Sequence, residues 1–375
     1  MKKTQKIDFS SPEAFAASVE NMRNKYFSHK VCEAKDHISA CTGSIIRAHS
    51  VSRKFLKMIA DGKGQVYHFD DRLYGLIDRG GKADVSKIGY GQASTYQMFC
   101  GMHDQQLFMS IENNNELIPD EQQCLLLMYR ALMMEKYLKE SQCEYYKILT
   151  QHKNDYSEYD ITNVFLQQFD CMYQGSLMGL YDLDRINADM APDVKNNNFS
   201  KLRALRIYFR KKPGFLCSGA FHVMSDYNGT PLTSLQSEQP ISDILSVNIL
   251  PLGGKNADNG VAVLSWLYIG QNSDSQKLID SIRGIPVEKI SNVLIHFVFE
   301  YVDNIYISPS WWNSCSQEVK SEICKLHQVC LQPPTDWHQI TTQYDNWHIT
   351  HAELWNGKQW EDFSFVDTKN ASEDK

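Results

Sequence analysis

The chain has 375 residues, 42% hydrophobic and 22% charged, with a formal net charge of −7. That length exceeds the roughly 250 residues at which single cores stop growing, so two or three units are expected, and the composition excludes a low-complexity or collagen-like chain. The acidic balance excludes a surface of general positive potential and leaves any nucleic-acid contact to a local patch.

The start, Met1-Lys2-Lys3-Thr4, is basic but is followed by polar and acidic residues, not by the apolar run of a secretory signal. No window approaches the ~20 apolar residues of a membrane span; the longest apolar runs are Cys124 to Met128 and Val293 to Phe299. A cytoplasmic location without membrane contact is therefore expected. The ten cysteines are scattered over a long chain, which favours reduced thiols and metal ligands over a disulfide framework. Cys124, Cys143, Cys171, Cys217, Cys324 and Cys330 read as ordinary buried thiols.

Pro12 to Lys25 has helical spacing, with Phe15, Val19 and Met22 on one side, and gives a leading helix within residues 1–29. Residues 30–116 change to short strands broken by glycine, Ser44 to Ala48 and Gln65 to Phe69, then the glycine-rich Gly75 to Gly91. So loop-rich a unit needs a staple. Residues 117–212 read as helical: Pro119 to Gln151, then Asp160 to Asp184 with Val164, Phe165, Phe169, Met172 and Leu180 as a packing stripe, then the basic Ser200 to Lys212. Residues 213–366 turn to β, with strands expected at Phe215 to Val223, Ile244 to Leu250, Val261 to Ile269 and Val293 to Glu300, and helices at Ser275 to Ile282 and Ser316 to His327. The acidic end, 367–375, reads as a mobile tail. The expected fold class is α+β, with a small zinc-stapled unit, a helical middle region and a C-terminal mixed α/β sheet domain.

Zinc prefers thiolate and imidazole ligands in a tetrahedron, usually supplied as two pairs close in sequence. Cys100-Gly101-Met102-His103 is a compact C-x-x-H at the opening of a helix, and Cys32 and Cys41 flank a polar loop ahead of a strand. One structural Zn²⁺ held by Cys32, Cys41, Cys100 and His103 follows, with His37 inside the loop as an alternative ligand. His49 ends the strand Ile45-Ile46-Arg47-Ala48, where an imidazole titrating near neutrality can act as a general base. Asp104 follows the His103 ligand on the first helical turn, where a carboxylate can take a divalent cation.

This order of strand, histidine, second strand, zinc turn and carboxylate-bearing helix resembles the HNH or ββα-metal endonucleases over residues 30–115. The resemblance implies a treble-clef-like zinc unit in which His49 is the base and Asp104 stands where many members carry a metal-binding histidine. It also implies a catalytic Mg²⁺ or Mn²⁺ and a nucleic-acid substrate, most simply DNA. Ala48 stands where many members have an acidic ligand, the zinc pair at Cys32 is stretched, and the intermediate asparagine of the motif has only Ser94, Thr95 or Gln97 as counterparts.

Between Gly43 and Lys63, Arg47, Arg53, Lys54, Lys57 and Lys63 face Asp61 alone, a candidate phosphate-backbone surface. Lys201, Arg203, Arg206, Arg210, Lys211 and Lys212 form a second basic stretch. Trp311-Trp312 reads as a core lid or a stacking surface, and His348 and His351 lack convincingly spaced metal partners. Two functions are expected: a metal-dependent endonuclease suited to a bacterial defence or toxin effector, or a non-catalytic zinc-binding module that contacts nucleic acid or protein. The C-terminal domain would then contact a protein partner or sense a small molecule.

Overall fold

The computed structural model describes residues 7–366 apart from 9, 11, 36–37, 42, 71–78, 81, 115, 152–161, 233–242, 271–272 and 329–339. The expected alternative ligand His37, Cys330 and the C-terminal tail lie outside the described residues. The chain begins with helix α1 (Pro12–Tyr26), then strand β1 (Ile45–His49), helix α2 (Arg53–Ile59), strands β2 (Gln65–Phe69), β3 (Val85–Gly89) and β4 (Thr95–Cys100), and helix α3 (Gly101–Glu112). β1 and β4 pair antiparallel, Ile45 opposite Cys100 and His49 opposite Thr95. Between Ile46 and Ala48 the register shifts so that β4 carries one extra residue, a bulge that strengthens the local twist.

Two long helices follow, α4 (Glu121–Gln151) and α5 (Thr162–Asn196). The remainder contributes strands β5 (Leu202–Phe209), β6 (Phe215–Phe221), β7 (Leu245–Gly253), β8 (Asn256–Leu267), β9 (Ile305–Ile307), β10 (Ile349–Trp355) and β11 (Trp360–Asp362). Between them lie helices α6 (Asp274–Ile282), α7 (Val287–Tyr301), α8 (Pro309–Ser314) and α9 (Gln317–Gln328). The molecule is α+β: nine strands form one antiparallel sheet in the order β11-β10-β5-β8-β7-β6-β9-β2-β3. The sheet crosses the expected boundary at residue 116, since β2 and β3 form one edge of it and Tyr67 pairs with Ile307 of β9.

Both faces of the sheet are covered. Leu205, Ile207, Val247, Ile249 and Leu264 point into a core with α6, α7 and α9. Leu202, Tyr208, Leu250, Val261 and Val263 point the other way, into a core shared with α2, α4, α5 and the β1–β4 pair. α4 is the central pillar of that second core, which explains why Cys124 to Met134 is buried all round rather than along a single stripe. The β7–β8 turn is Gly254-Lys255, closed by the pairing of Gly253 with Asn256, and Gly253 and Gly254 are both at positive φ, a conformation in which glycine carries no steric penalty. This is the structural use of the Gly253-Gly254-Lys255 sequence.

Three expectations are corrected. Ser200 to Lys212 is not a helix: Leu205, Ile207 and Phe209 alternate with Ala204, Arg206 and Tyr208, and this period of two makes it strand β5 at the middle of the sheet. Val293 to Glu300 is not a strand but lies inside helix α7, whose apolar run is buried between sheet and α9; a short continuous apolar stretch carries no period that separates the two states. In α5, Met172 is exposed along with Leu177, Met178 and Tyr181, so the expected stripe is not wholly core, and the Val164 and Phe165 side chains lie outside the described residues. Cys171 is exposed and Cys324 half-buried, while Cys124, Cys143 and Cys217 are buried.

Candidate metal centre

Cys32, Cys41, Cys100 and His103 converge, their four donor atoms all lying within 4.8 Å of one another. Cys32 Sγ is 3.1 Å and Cys100 Sγ 3.5 Å from His103 Nδ1. A zinc tetrahedron with bonds of about 2.3 Å to sulfur and about 2.0 Å to nitrogen has edges of roughly 3.5 to 3.8 Å, so the group is already near the required size. Local structure builds it. Cys100 ends β4 and is the N-cap of α3, its sulfur accepting from the His103 backbone N–H at 3.4 Å, and the C-x-x-H spacing then turns the His103 ring back onto the same point. The loop from α1 runs along β4, with Val31 N–H donating to Gln97 O and Glu33 N–H to Met98 O, and this delivers Cys32. Cys41 closes the solvent side and Cys32, Cys100 and His103 are buried. Gly43 allows the close approach: a Cβ there would lie 3.3 Å from Met102 N and 3.5 Å from Cys100 Sγ.

The electrostatics suit a metal better than four neutral groups. Burial pushes the Cys32 thiol up to about 12, so without a cation its proton stays. Burial also opposes ionisation of Cys100, but the His103 amide, the Cys41 and Cys32 thiols and the Gly43 amide outweigh it and hold the pKa below the ordinary thiol value. Burial lowers the His103 pKa, keeping the ring neutral and its lone pair available. Ser39 Oγ sits 2.7 Å from His103 Nε2, the outer partner that fixes the orientation of a ligating imidazole. Ser39 lies 64 residues from the ring it meets, a separation that leaves no spacing signal.

His49 ends β1 opposite Thr95, at the far end of the strand from Cys100, and Asp104 is in the first turn of α3; both lie in the field of one ion pair that the sequence reading missed, Glu112 and Arg130. Arg130 Nη1 donates to Glu112 Oε1 at 2.9 Å, and its guanidinium lies 3.9 Å from the Phe108 ring centroid. Ser52 Oγ donates to Glu112 Oε2 at 2.5 Å. Burial lowers the His49 pKa, Glu112 opposing and Arg130 and Arg53 assisting, so the ring is neutral near pH 7; its Nε2 is buried with no hydrogen-bond partner. Burial raises the Asp104 pKa, and Arg130 works against that rise. Ala48 is buried in the core and adds no ligand. Of the three counterparts for the intermediate asparagine, Thr95 is opposite His49, Ser94 bonds Ser50 Oγ and the Val51 N–H at 2.6 Å each, and Gln97 donates to Ser28 O.

The basic surface divides. Arg47, Arg53 and Lys57 are exposed, with Arg53 over the Tyr90 ring. Lys54 turns inward, its Nζ donating to Ile111 O at 2.8 Å, Glu112 O at 2.9 Å and Asn114 O at 2.5 Å, which closes the C-terminus of α3. In the second basic stretch Arg206 pairs with Glu353 and stacks on Trp360, Arg203 donates to Ser200 O, Lys211 pairs with Asp345 and Lys212 donates to Met58 O. Most of that charge is used within the fold. Trp312 is buried, Trp311 donates to Asp345 at 2.9 Å, and His351 stacks on Tyr208. Among the described residues no helix is long and apolar enough to cross a membrane. Compared with protein-family models, curated proteins and solved structures, the chain matches none of them.

Proposed function

We propose that the chain is a zinc-stabilised, divalent-cation-dependent endonuclease of the HNH type that hydrolyses phosphodiester bonds in nucleic acid. One observation supports the reading: His49 on β1 and Asp104 in the first turn of α3 both feel the charges of the Glu112–Arg130 ion pair, on elements that meet at the Cys₃His cluster. A neutral His49, opposite Thr95 in the β1–β4 pair, can accept the proton of an attacking water. Asp104 would hold Mg²⁺ or Mn²⁺, and that cation would neutralise the scissile phosphate. Arg47, Arg53 and Lys57, the exposed part of the patch, would meet the flanking phosphates of DNA or RNA.

The test is plasmid cleavage with Mg²⁺ or Mn²⁺ by the parent chain, His49→Ala and Asp104→Ala. Loss of about 10²-fold or more in both variants, with zinc content unchanged, is expected. Undiminished cutting by both removes the site. A second reading, a zinc module that binds a partner without catalysis, is favoured by Ala48 in place of an acidic ligand and by Lys54 being occupied at the end of α3. A zinc-loaded parent that binds nucleic acid or protein but never cuts supports it.

A further inference from the structure

A second group of metal-competent side chains lies apart from the Cys₃His cluster: the donor atoms of His29, Glu33 and Glu140 all fall within 4.8 Å of one another. His29 and Glu33 come from the loop after α1 and Glu140 from α4. The His29 ring is fixed by stacking on Tyr137, centroids 4.3 Å apart and planes 10° apart. Its Nδ1 lies 3.1 Å from Tyr26 O and so carries a proton, which leaves Nε2 as the position for a second proton or a cation. Nε2 faces Glu140 Oε2 at 3.4 Å; burial works against protonation of the ring, but Glu140, Tyr26 O and Glu33 outweigh it and raise the His29 pKa, so a proton there holds the position that a cation would take. Glu33 is only 6% exposed, and its Oε1 has no hydrogen-bond partner. The Lys136 ammonium lies inside the group, 3.0 Å from Glu33 Oε2 and also paired with Glu140. Lys136 has a second carboxylate to turn to, Asp184 on α5 at 3.4 Å.

We propose that His29, Glu33 and Glu140 form a divalent-cation site, distinct from the Cys₃His cluster, for which Lys136 is the built-in competitor. One imidazole nitrogen and two carboxylates form an N,O donor set suited to Mn²⁺, Fe²⁺, Co²⁺ or Zn²⁺ rather than to a soft ion. On binding, the ion takes Glu33 Oε1, Glu140 and His29 Nε2, and the Lys136 ammonium moves to Asp184. The site ties the loop carrying the Cys32 ligand to α4, so cation binding there clamps one wall of the Cys₃His cluster.

The experiment is a titration of the zinc-loaded full chain with Mn²⁺, free manganese being read by its paramagnetic resonance signal. Mn²⁺ is the weakest competitor for a thiolate site, so the zinc stays in place. One Mn²⁺ per chain is expected at this site, beside any held at Asp104; it is lost in Glu33→Gln and in Glu140→Gln and retained in Asp104→Ala, which separates it from the ion of the proposed catalytic site. Lys136→Met removes the competing charge and tightens binding at least about tenfold. Zinc content and far-ultraviolet dichroism report whether each variant is folded; if Glu33→Gln fails to fold, Glu140→Gln on a different element and the gain in Lys136→Met decide. Absence of any Glu33- and Glu140-dependent manganese in the parent chain overturns the site and shows a closed His29–Glu140–Lys136–Glu33 ion network instead.

Discussion

Cys100 does two jobs with one atom: it caps α3 by accepting from the His103 N–H, and it offers a thiolate to the same point as Cys32. Serine preserves the cap but is a poor zinc ligand, so Cys100→Ser should lose the metal while α3 still starts in place, at a cost above about 4 kcal/mol in denaturant unfolding. Glu112 and Arg130 show the opposite dependence, a buried cation held by one carboxylate. Glu112→Ala strands an Arg130 that is 2% exposed and should cost about 3–5 kcal/mol, visible as a lowered denaturation midpoint. For Glu112, burial raises the pKa, but Arg130, Ser52 and Lys54 together bring it below its ordinary 4.5. Its contribution is therefore complete above 4.5 and lost as the pH falls through the folded-state value. His49 adds a window at higher pH. Burial depresses its folded pKa below 6.5, so the unfolded chain takes the proton first, and stability falls with pH from 6.5 downward. Replacing His49 with Gln should flatten that part of the stability profile; an unchanged slope would mean the ring is hydrated in the folded state.

At the scale of the element, α3 is held at both ends by residues distant in sequence: Cys32 meets its start, and Lys54 binds its last carbonyls. Lys54→Met leaves those carbonyls to water and should cost about 1–3 kcal/mol, with hydrogen exchange rising first in the last turn of α3. The start of α3 was legible in the sequence because Cys100 and His103 obey a local rule, three residues apart on a helix-opening turn. Cys32 and Cys41, separated by eight residues, could be matched to them only as a pair. Glu112–Arg130 and Ser39–His103 were not legible, because each meeting is made by the packing of separate elements and leaves no spacing rule behind. The same limit explains β5 and α7. In β5 the charges of Arg203 and Arg206 masked a period of two, while the run from Val293 is apolar on every side and shows no period. Strands with a clean boundary, such as Gln65–Phe69, were read at their observed ends.

For the whole molecule, the sheet and the segment that carries the Cys₃His cluster share one core. Asn304, beside β9, donates to Ser50 Oγ at 2.9 Å and to Ser218 O at 2.8 Å, tying the residue after His49 to the centre of the sheet. β2 and β3 leave the segment of the Cys₃His cluster to pair with that sheet, and α4 packs against both. A fragment of residues 30–116 should therefore fail to fold alone, exposing Val66, Phe108 and Ile111; a dispersed, zinc-loaded fragment with native-like dichroism would count against this integration. The sheet also has little slack. A Cβ at Gly260 would lie 2.3 Å from Phe209 Cε2 across the β5–β8 pair, so Gly260→Ala should cost about 1–3 kcal/mol through overpacking, read as a lowered melting temperature.

The central claim is that Cys32, Cys41, Cys100 and His103 close on one ion and so fix β1, β4 and α3 against each other. Native mass spectrometry of the full chain, paired with elemental zinc determination, tests it most directly. One tightly held zinc per chain is predicted, absent from Cys32→Ser, Cys100→Ser and His103→Ala. A folded chain that is free of zinc after purification without chelator, and that takes none up when zinc is added, would contradict it.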